Sequence, residues 1–342
     1  MTADMSAMPA AAAAPPVRFA VLGCADIAWR NILPAMSTVD DVRVVALASR
    51  DGAKAARFAG RFGGDPVEGY ARAVDRPDVD AVYVALPTAL HHTWTRRALD
   101  AGKHVLVEKP LTASLTDTED LVGLARERGL VLMDGFQFLH HAQHAAVRTM
   151  VDQGRIGQLR EFTAVFGIPP RADDDIRYRP DLGGGALLDV GVYPVRVAQL
   201  FLGPDLEVVG SLLRRDARRG VDISGAALLA SPQGIPAHHS FSFAASYRSG
   251  YALWGSEGSL IVDRAFTPPA TFRPAIRLQS QGTTEEIFLD PDNQSANLVR
   301  AFVRALRQGI DMESYGESLI RHAAVVDQIR DQARWTTIDG ES

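Results

Sequence analysis

Cysteine is almost missing from this 342-residue chain: Cys24 is the only one. No internal disulfide can form, which fits a reducing, cytoplasmic compartment. Positive charge is not in excess either. The formal net charge is -5, which leaves no basic footprint for nucleic acid. No apolar run approaches the roughly 20 residues of a membrane-spanning helix. The opening stretch, residues 1–16, is rich in Ala and Pro but lacks the cationic start and long apolar centre of a signal peptide. It is expected to be a disordered tail. What remains is ordinary core material. At 46% hydrophobic residues, the chain can fill about two domains without staples or metals.

Behind the tail, short apolar segments alternate with helical ones. Val17–Leu22, Val42–Ala48, Ala81–Leu86, His104–Val107 and Leu130–Met133 read as buried strands. Pro34 should kink or shorten the first helix, and Asp51 should cap the next, whose apolar positions Ala55, Phe58 and Ala59 recur at helical spacing. Thr116 and Glu119 are spaced as a capping box, while Gly102 and Gly129 suit left-handed helix ends. Strands separated by helices of this length imply an α/β fold, a doubly wound parallel sheet of Rossmann type over residues 17–137.

From residue 138 to 342 the pattern changes. Gln158–Val165, Glu207–Leu212, Ala226–Ala230, His239–Phe243, Tyr251–Trp254, Leu260–Val262 and Ile276–Gln279 read as short strands between Gly- and Pro-containing turns. Gln294–Arg307 and Tyr315–Arg334 read as two closing helices. The expectation is an α+β domain whose mixed or antiparallel sheet is open on one face. Its C-terminal helices should pack back toward the first domain. The open face needs a cover, and a second copy of the chain suits it, making a dimer or tetramer.

Three places carry chemistry. The turn after the first strand reads Gly23-Cys24-Ala25-Asp26-Ile27-Ala28, which keeps one glycine of the dinucleotide pattern and has alanines at the other two. Small residues still admit a pyrophosphate at the helix start. The second strand ends in Ser49-Arg50, where NAD would call for an acidic residue; a hydroxyl beside an arginine suits the 2′-phosphate of NADPH instead. Lys54, one turn on, either helps or faces water; the competing reading of Arg50 is a solvated helix-start residue. The second place is Glu108-Lys109-Pro110, which sets a lysine at the carboxyl end of a strand, where ligands settle in open α/β sheets. The third is Gly183-Gly184-Gly185 followed by Asp189 and Tyr193, which share one helical face. A buried tyrosine satisfied by aspartate is the competing reading of that pair. His140, His141 and His144 have helical metal-site spacing but no further ligand nearby, so no metal is expected. A substrate diphosphate wants arginines. Arg177 with Tyr178 is the candidate pair, a fork for phosphate and a ring for a base or sugar. The loop from Phe266 to Arg273 borders the same cleft.

These residues together resemble the glucose–fructose oxidoreductase / inositol dehydrogenase family. The matching pieces are the Gly23 turn, Pro87 with His91, Ala101-Gly102-Lys103-His104-Val105, Glu108-Lys109-Pro110, and Gly184-Gly185 leading to Asp189-x-Gly191-x-Tyr193. Within the family, Gly23 to Arg30, Phe136 to His141, Ile176-Arg177-Tyr178 and Phe266 to Thr271 resemble the branch of NDP-hexose 3-ketoreductases of deoxysugar (antibiotic) biosynthesis. Histidine stands in many relatives where this chain has Tyr193, which sets it apart from the polyol-oxidising members. The resemblance implies NADPH, a cis Lys109–Pro110 bond, and a cofactor site lined by Leu86, Pro87, His91, Glu108 and Lys109 besides the two turns. Gln137, Arg177, Tyr178, Asp189 and Tyr193 would face the nucleotide-linked ketosugar. Tyr193 would give the proton, Lys109 would support the developing alkoxide, and Asp189 would orient either one. The other readings are an NADP-dependent aldose or trans-dihydrodiol dehydrogenase and a silent paralogue that senses NADP.

Overall fold

Continuous apolar runs bury both faces of a strand, and the first half of the chain is built on them. In the computed structural model, which describes residues 14–309 and 311–339, β1 (Val17–Leu22), β4 (Ala81–Val84) and β5 (His104–Val107) form the centre of a parallel sheet. With β2 (Val42–Ser49), β3 (Asp65–Glu68) and β6 (Leu132–Asp134), the order is β3-β2-β1-β4-β5-β6. Strand order reverses between β1 and β4, so a crevice opens at their carboxyl ends. The edge strand β3 escapes the sequence patterning because Asp-Pro-Val-Glu has one apolar residue; proline is tolerated at an edge. The expected tail through residue 13 lies outside the described residues.

Helices cover both faces. A short π turn, Ala28–Ile32, runs into α1 (Leu33–Met36), where Pro34 sits in the first turn. Helix α2 (Gly52–Phe62) is capped by Asp51, whose carboxylate accepts from Ala53 N and Lys54 N. Helices α3 (Tyr70–Val74), α4 (His91–Asp100) and α5 (Leu115–Arg128) follow, and Gly129 ends α5 in the left-handed region. The cap of α5 is Ser114, which accepts from Asp117 N, and not the Thr116–Glu119 box. Asp327 supplies a second oxygen there, so α5 starts two residues earlier than the box would place it.

After α6 (Ala142–Asp152) comes a nine-stranded sheet in the order β14-β13-β12-β11-β7-β10-β9-β8-β15. Its strands are β7 (Leu159–Gly167), β8 (Glu207–Asp216), β9 (Asp222–Ala230), β10 (Pro236–Ser242), β11 (Arg248–Gly255), β12 (Ser259–Asp263), β13 (Ala275–Ser280), β14 (Thr283–Phe288) and β15 (Arg334–Ile338). The β7–β10 and β8–β15 pairs are parallel and the rest antiparallel. Both edges, β14 and β15, are absent from the sequence reading because their residues are mostly polar and exposed. Helix α7 (Val192–Leu202) covers one face. Phe162, Phe166, Tyr251 and Leu253 point into that core, while Trp254 on the other face is 60% exposed. The stretch Pro180–Leu202 is, by length and composition, apolar enough to span a membrane, unlike the expectation above; here 72% of its 18-residue apolar window is buried inside the protein.

The last helices, α8 (Gln294–Gln308) and α9 (Met312–Asp331), return to the first domain. Phe302 of α8 packs on Phe19 of β1 with ring centroids 5.5 Å apart. Asp327 of α9 accepts from Leu115 N at 2.8 Å, and Arg330 donates to Ala113 O at 3.1 Å. One carboxylate thus ties the carboxyl-terminal helix to the start of α5. Asp327→Ala should lower the unfolding free energy by about 1–2 kcal/mol, the worth of a lost helix cap. Urea unfolding measures it, and a midpoint equal to the parent's would show that the tie contributes nothing.

Candidate active site

The carboxyl ends of β1, β4 and β5 converge on the crevice. Gly23 leaves β1 at φ +101°, and a Cβ there would lie 2.2 Å from Ala85 O and 2.9 Å from a Leu86 methyl. Only glycine lets the two strand ends close on each other so tightly. This turn fits the dinucleotide of a bound cofactor: small residues at the amino end of a helix, beside the reversal in strand order. At the neighbouring end of β2, Ser49 is buried and its Oγ accepts from Asp51 N, while Arg50 and Lys54 are exposed. Neither cation has a carboxylate partner among the described residues, because Asp51 is spent on the helix cap. A cationic rim of this kind fits an adenosine 2′-phosphate. Burial raises the Cys24 thiol to about 11, with Lys54 and Arg57 opposing the rise, so Cys24 lines the turn as an unreactive side chain. Asp26 faces solvent beside Arg30, and Ala25 and Ile27 pack on the first core.

Lys109 projects from the end of β5 ahead of a cis bond to Pro110. Its Nζ donates to Asp189 Oδ1 and to Asp189 O, both at 2.7 Å. Asp189 lies in a π turn (Leu187–Gly191) that opens α7. The three glycines before it are each needed for close approach. Gly183 packs on Thr88 and Ala89 of the first domain, Gly184 on Arg177 O, and Gly185, at φ +122°, on the Asp222 carboxylate. Asp222 in turn accepts from Leu187 N at 2.6 Å. Tyr193 follows one turn after Asp189, and Lys109 Nζ stands 5.1 Å from its ring centroid. Lys109, Asp189 and Tyr193 are therefore one cluster, assembled from both domains.

Its electrostatics are set by a fourth member. Arg177 Nε donates to Asp189 Oδ2 at 2.6 Å, and Arg177 Nη1 donates to Asp175 at 3.1 Å. Burial favours a neutral Asp189, but Lys109 and then Arg177 reverse that and hold it at about 2. Burial also opposes charge on Lys109, yet the adjacent Asp189 leaves its ammonium above the ordinary value. Tyr193 is pushed up to about 12 by burial, with Lys109 pulling the other way. The phenol is thus a proton holder at neutral pH. Four phenylalanines enclose its ring, Phe136, Phe138, Phe166 and Phe266, with centroids 5.0 to 5.7 Å away. Sequence reasoning did not find this enclosure; the rings come from three separate segments, and only the spacing of Phe136 and Phe138 gave any signal.

Several expected ligand residues are committed elsewhere. Tyr178 is buried, its hydroxyl accepts from Arg171 N at 3.0 Å, and the Arg219 guanidinium sits 4.0 Å over its ring. No face is left for a base or sugar. Arg177 is held by two carboxylates, so it clamps Asp189 where a fork for phosphate was expected. The buried Glu108 accepts from Tyr83 Oη at 2.6 Å. His91 has both ring nitrogens 2.8 Å from backbone oxygens, those of Pro110 and Leu86, so it pins two cleft loops where a cofactor contact was expected. Pro87 precedes the short turn into α4. Gln137 is buried and accepts from Ser295 Oγ. His141 caps α6, and His144 is buried against Tyr251 Oη and Ala265 O.

Residues 17–136 match the Gfo/Idh/MocA oxidoreductase family with its NAD-binding Rossmann fold, and residues 144–261 match the family's C-terminal domain. The chain is 52% identical over 320 residues to a dTDP-3,4-didehydro-2,6-dideoxy-alpha-D-glucose 3-reductase of Saccharopolyspora spinosa, covering 92% of this chain and 96% of that one. An NADP-dependent D-xylose 1-dehydrogenase of Haloferax volcanii is 32% identical, covering 92% and 97%. Among solved structures, a 3-ketoreductase from Actinomadura kijaniata in complex with NADP and TDP-benzene superposes with a TM-score of 0.92 at 49% identity, covering 94% of this chain and 99% of that one.

The Asp189 charge has a pH signature. Its carboxyl titrates at about 2 in the folded chain against an ordinary 3.8. The stability it contributes is present above pH 4 and is lost as pH falls toward 2. Asp189→Asn should be less stable by about 3 kcal/mol at neutral pH, with Lys109 and Arg177 left undercompensated. It should also show a shallower acid limb between those pH values. Denaturant unfolding across that range measures both, and superimposable acid limbs would contradict the charge assignment.

Proposed function

The chain belongs to the Gfo/Idh/MocA oxidoreductase family, and from that membership we propose that it reduces the C3 ketone of a dTDP-3,4-didehydro-2,6-dideoxyhexose with NADPH. The observation that carries this reading is the Lys109–Asp189–Tyr193 cluster at the crevice, an ammonium held by a carboxylate 5.1 Å from the centroid of a phenol ring. NADPH, when bound at the Gly23 turn, supplies the hydride for the carbonyl carbon. The chain's own task is the oxygen, which becomes negative as that carbon is reduced. Tyr193 is protonated at neutral pH and gives its Oη proton to that oxygen. Lys109 donates a hydrogen bond to the same oxygen and stabilises the charge while the proton moves. Asp189 fixes the Lys109 ammonium through two acceptors and keeps it charged. The phenylalanine enclosure excludes water, which strengthens each of these interactions.

The dTDP-sugar 3-reductase named above favours this over aldose oxidation, and we place the reaction in deoxysugar assembly of the antibiotic kind. A lone buried cysteine suits the cytoplasm. The exposed face of the nine-stranded sheet, with Trp254 at its centre, supports a homo-oligomer formed through that face.

Incubation with NADPH and an enzymatically prepared dTDP-diketosugar should give a C3-hydroxyl product, identified by NMR. Turnover of D-xylose with NADP should be slower by comparison; the reverse preference would overturn the proposal. Lys109→Met and Tyr193→Phe should each lower kcat by about a hundredfold or more while NADPH still binds. Near-parent rates in both would remove these residues from the mechanism.

A further inference from the structure

Under the start of α7 lies a carboxylate that the reaction, as derived so far, does not use. Asp222 opens β9, and its Oδ2 accepts from Leu187 N at 2.6 Å, with the Ala186 amide as a second donor to the same group. Its Oδ1 lies against Gly185, where a Cβ would stand 2.3 Å away. Amides at a helix start have no partner within the helix, so Asp222 is what satisfies these two. Asp189 comes two residues after Leu187, and Tyr193 one turn later. The height of both side chains is therefore set from the sheet of the second domain as well as by Lys109.

The surroundings give the Asp222 charge little support. From β8 it faces Arg215, its cross-strand neighbour, whose guanidinium stands 4.5 Å from the Trp335 ring centroid. In the β8–β9 turn, Arg219 pairs with Asp216 and Asp173. Asp189, the titratable side chain of the π turn, is turned to Lys109 and Arg177. Residues 243–246, after β10, carry no charge. Burial outweighs the two amides and Arg215, and it raises the carboxyl to about 6 against an ordinary 3.8. A carboxyl raised by folding is ionised at neutral pH at a cost. Above pH 4 the fold is less stable than it would be with a neutral group in that place. Charge kept at such a cost beside a reacting cluster points to function.

We propose that Asp222, as the carboxylate, is a positioning residue of the reduction: its charge-assisted hydrogen bonds to the start of the π turn hold Asp189 and Tyr193 in register with Lys109. Ionised, it offers acceptors to both amides and an anion at the positive end of the helix. Protonated, one of its oxygens becomes a donor facing amides that also donate, and the turn loses its anchor. Lys109 Nζ donates to both the carboxylate and the backbone oxygen of Asp189 at 2.7 Å, so a shift of that turn moves the ammonium too. The inference rests on the ketosugar reading given above.

The test is the pH profile of kcat for reduction of an enzymatically prepared dTDP-diketosugar at saturating NADPH. The parent should lose rate on the acid side with a midpoint near 6. Asp222→Asn keeps an oxygen for Leu187 N but no charge. It should be slower at neutral pH by at least about fivefold and should lack the acid midpoint. It should also unfold in urea at the parent's midpoint or above it, which a merely structural cap would not allow. Arg215→Gln, which removes the facing cation, should move the acid midpoint upward. An Asp222→Asn enzyme with the parent's rate and acid limb, or one both slower and less stable than the parent, would overturn the positioning role and leave the ketosugar reading standing. An acid midpoint that Arg215→Gln leaves in place would do the same. A parent that reduces no dTDP-ketosugar would overturn both.

Discussion

The carboxylate of Asp189 carries three relationships at once. One oxygen takes the Lys109 ammonium from the Rossmann domain, the other takes Arg177 from the loop after β7, and its own backbone oxygen takes Lys109 again. Each charge here is too buried to stand alone, and each is stabilised by the next. Asp175 closes the series on Arg177, so the four charges balance. This pairing holds the two domains at the spacing where an ammonium meets a phenol.

The remainder of the cleft supports that geometry. Gly23 lets β1 and β4 close together, and Gly183 lets the glycine run lie on residues 88 and 89 of the other domain. His91 ties the loop after β4 to the loop after β5. Asp222 and Gly185 meet under the start of α7 and set the height at which Asp189 and Tyr193 emerge. None of these groups reacts. They convert small residues and backbone carbonyls into a fixed frame, which positioning chemistry of this kind requires.

The frame also explains which site residues a linear reading misassigns. Arg177 and Tyr178 carry the chemistry a nucleotide wants, and sequence alone cannot show that Asp175, Asp189 and Arg219 reach them first. The same holds for Glu108, whose partner Tyr83 comes from the neighbouring strand, and for Gln137, whose partner Ser295 is far along the chain. Lys109, Asp189 and Tyr193 do lie together in the fold. They belong to motifs whose local geometry, a strand end and the first turns of a helix, leaves few directions for their side chains.

By itself the sequence determined the elements that local patterning encodes. Apolar runs set β1, β2, β4 and β5, alternation and turn residues set most of the second sheet, and Asp51 and Gly129 set helix ends, because these depend on neighbours only a few residues away. Tertiary structure decided what no local pattern holds. It placed the polar edge strands β3, β14 and β15, which exist only because a partner strand offers hydrogen bonds. It surrounded Tyr193 with four rings from three segments. It chose Ser114 and Asp327 over Thr116 as the cap of α5, and it gave Arg177 two carboxylates. A buried charge is defined by what surrounds it, and those surroundings are assembled only when distant parts of the chain meet.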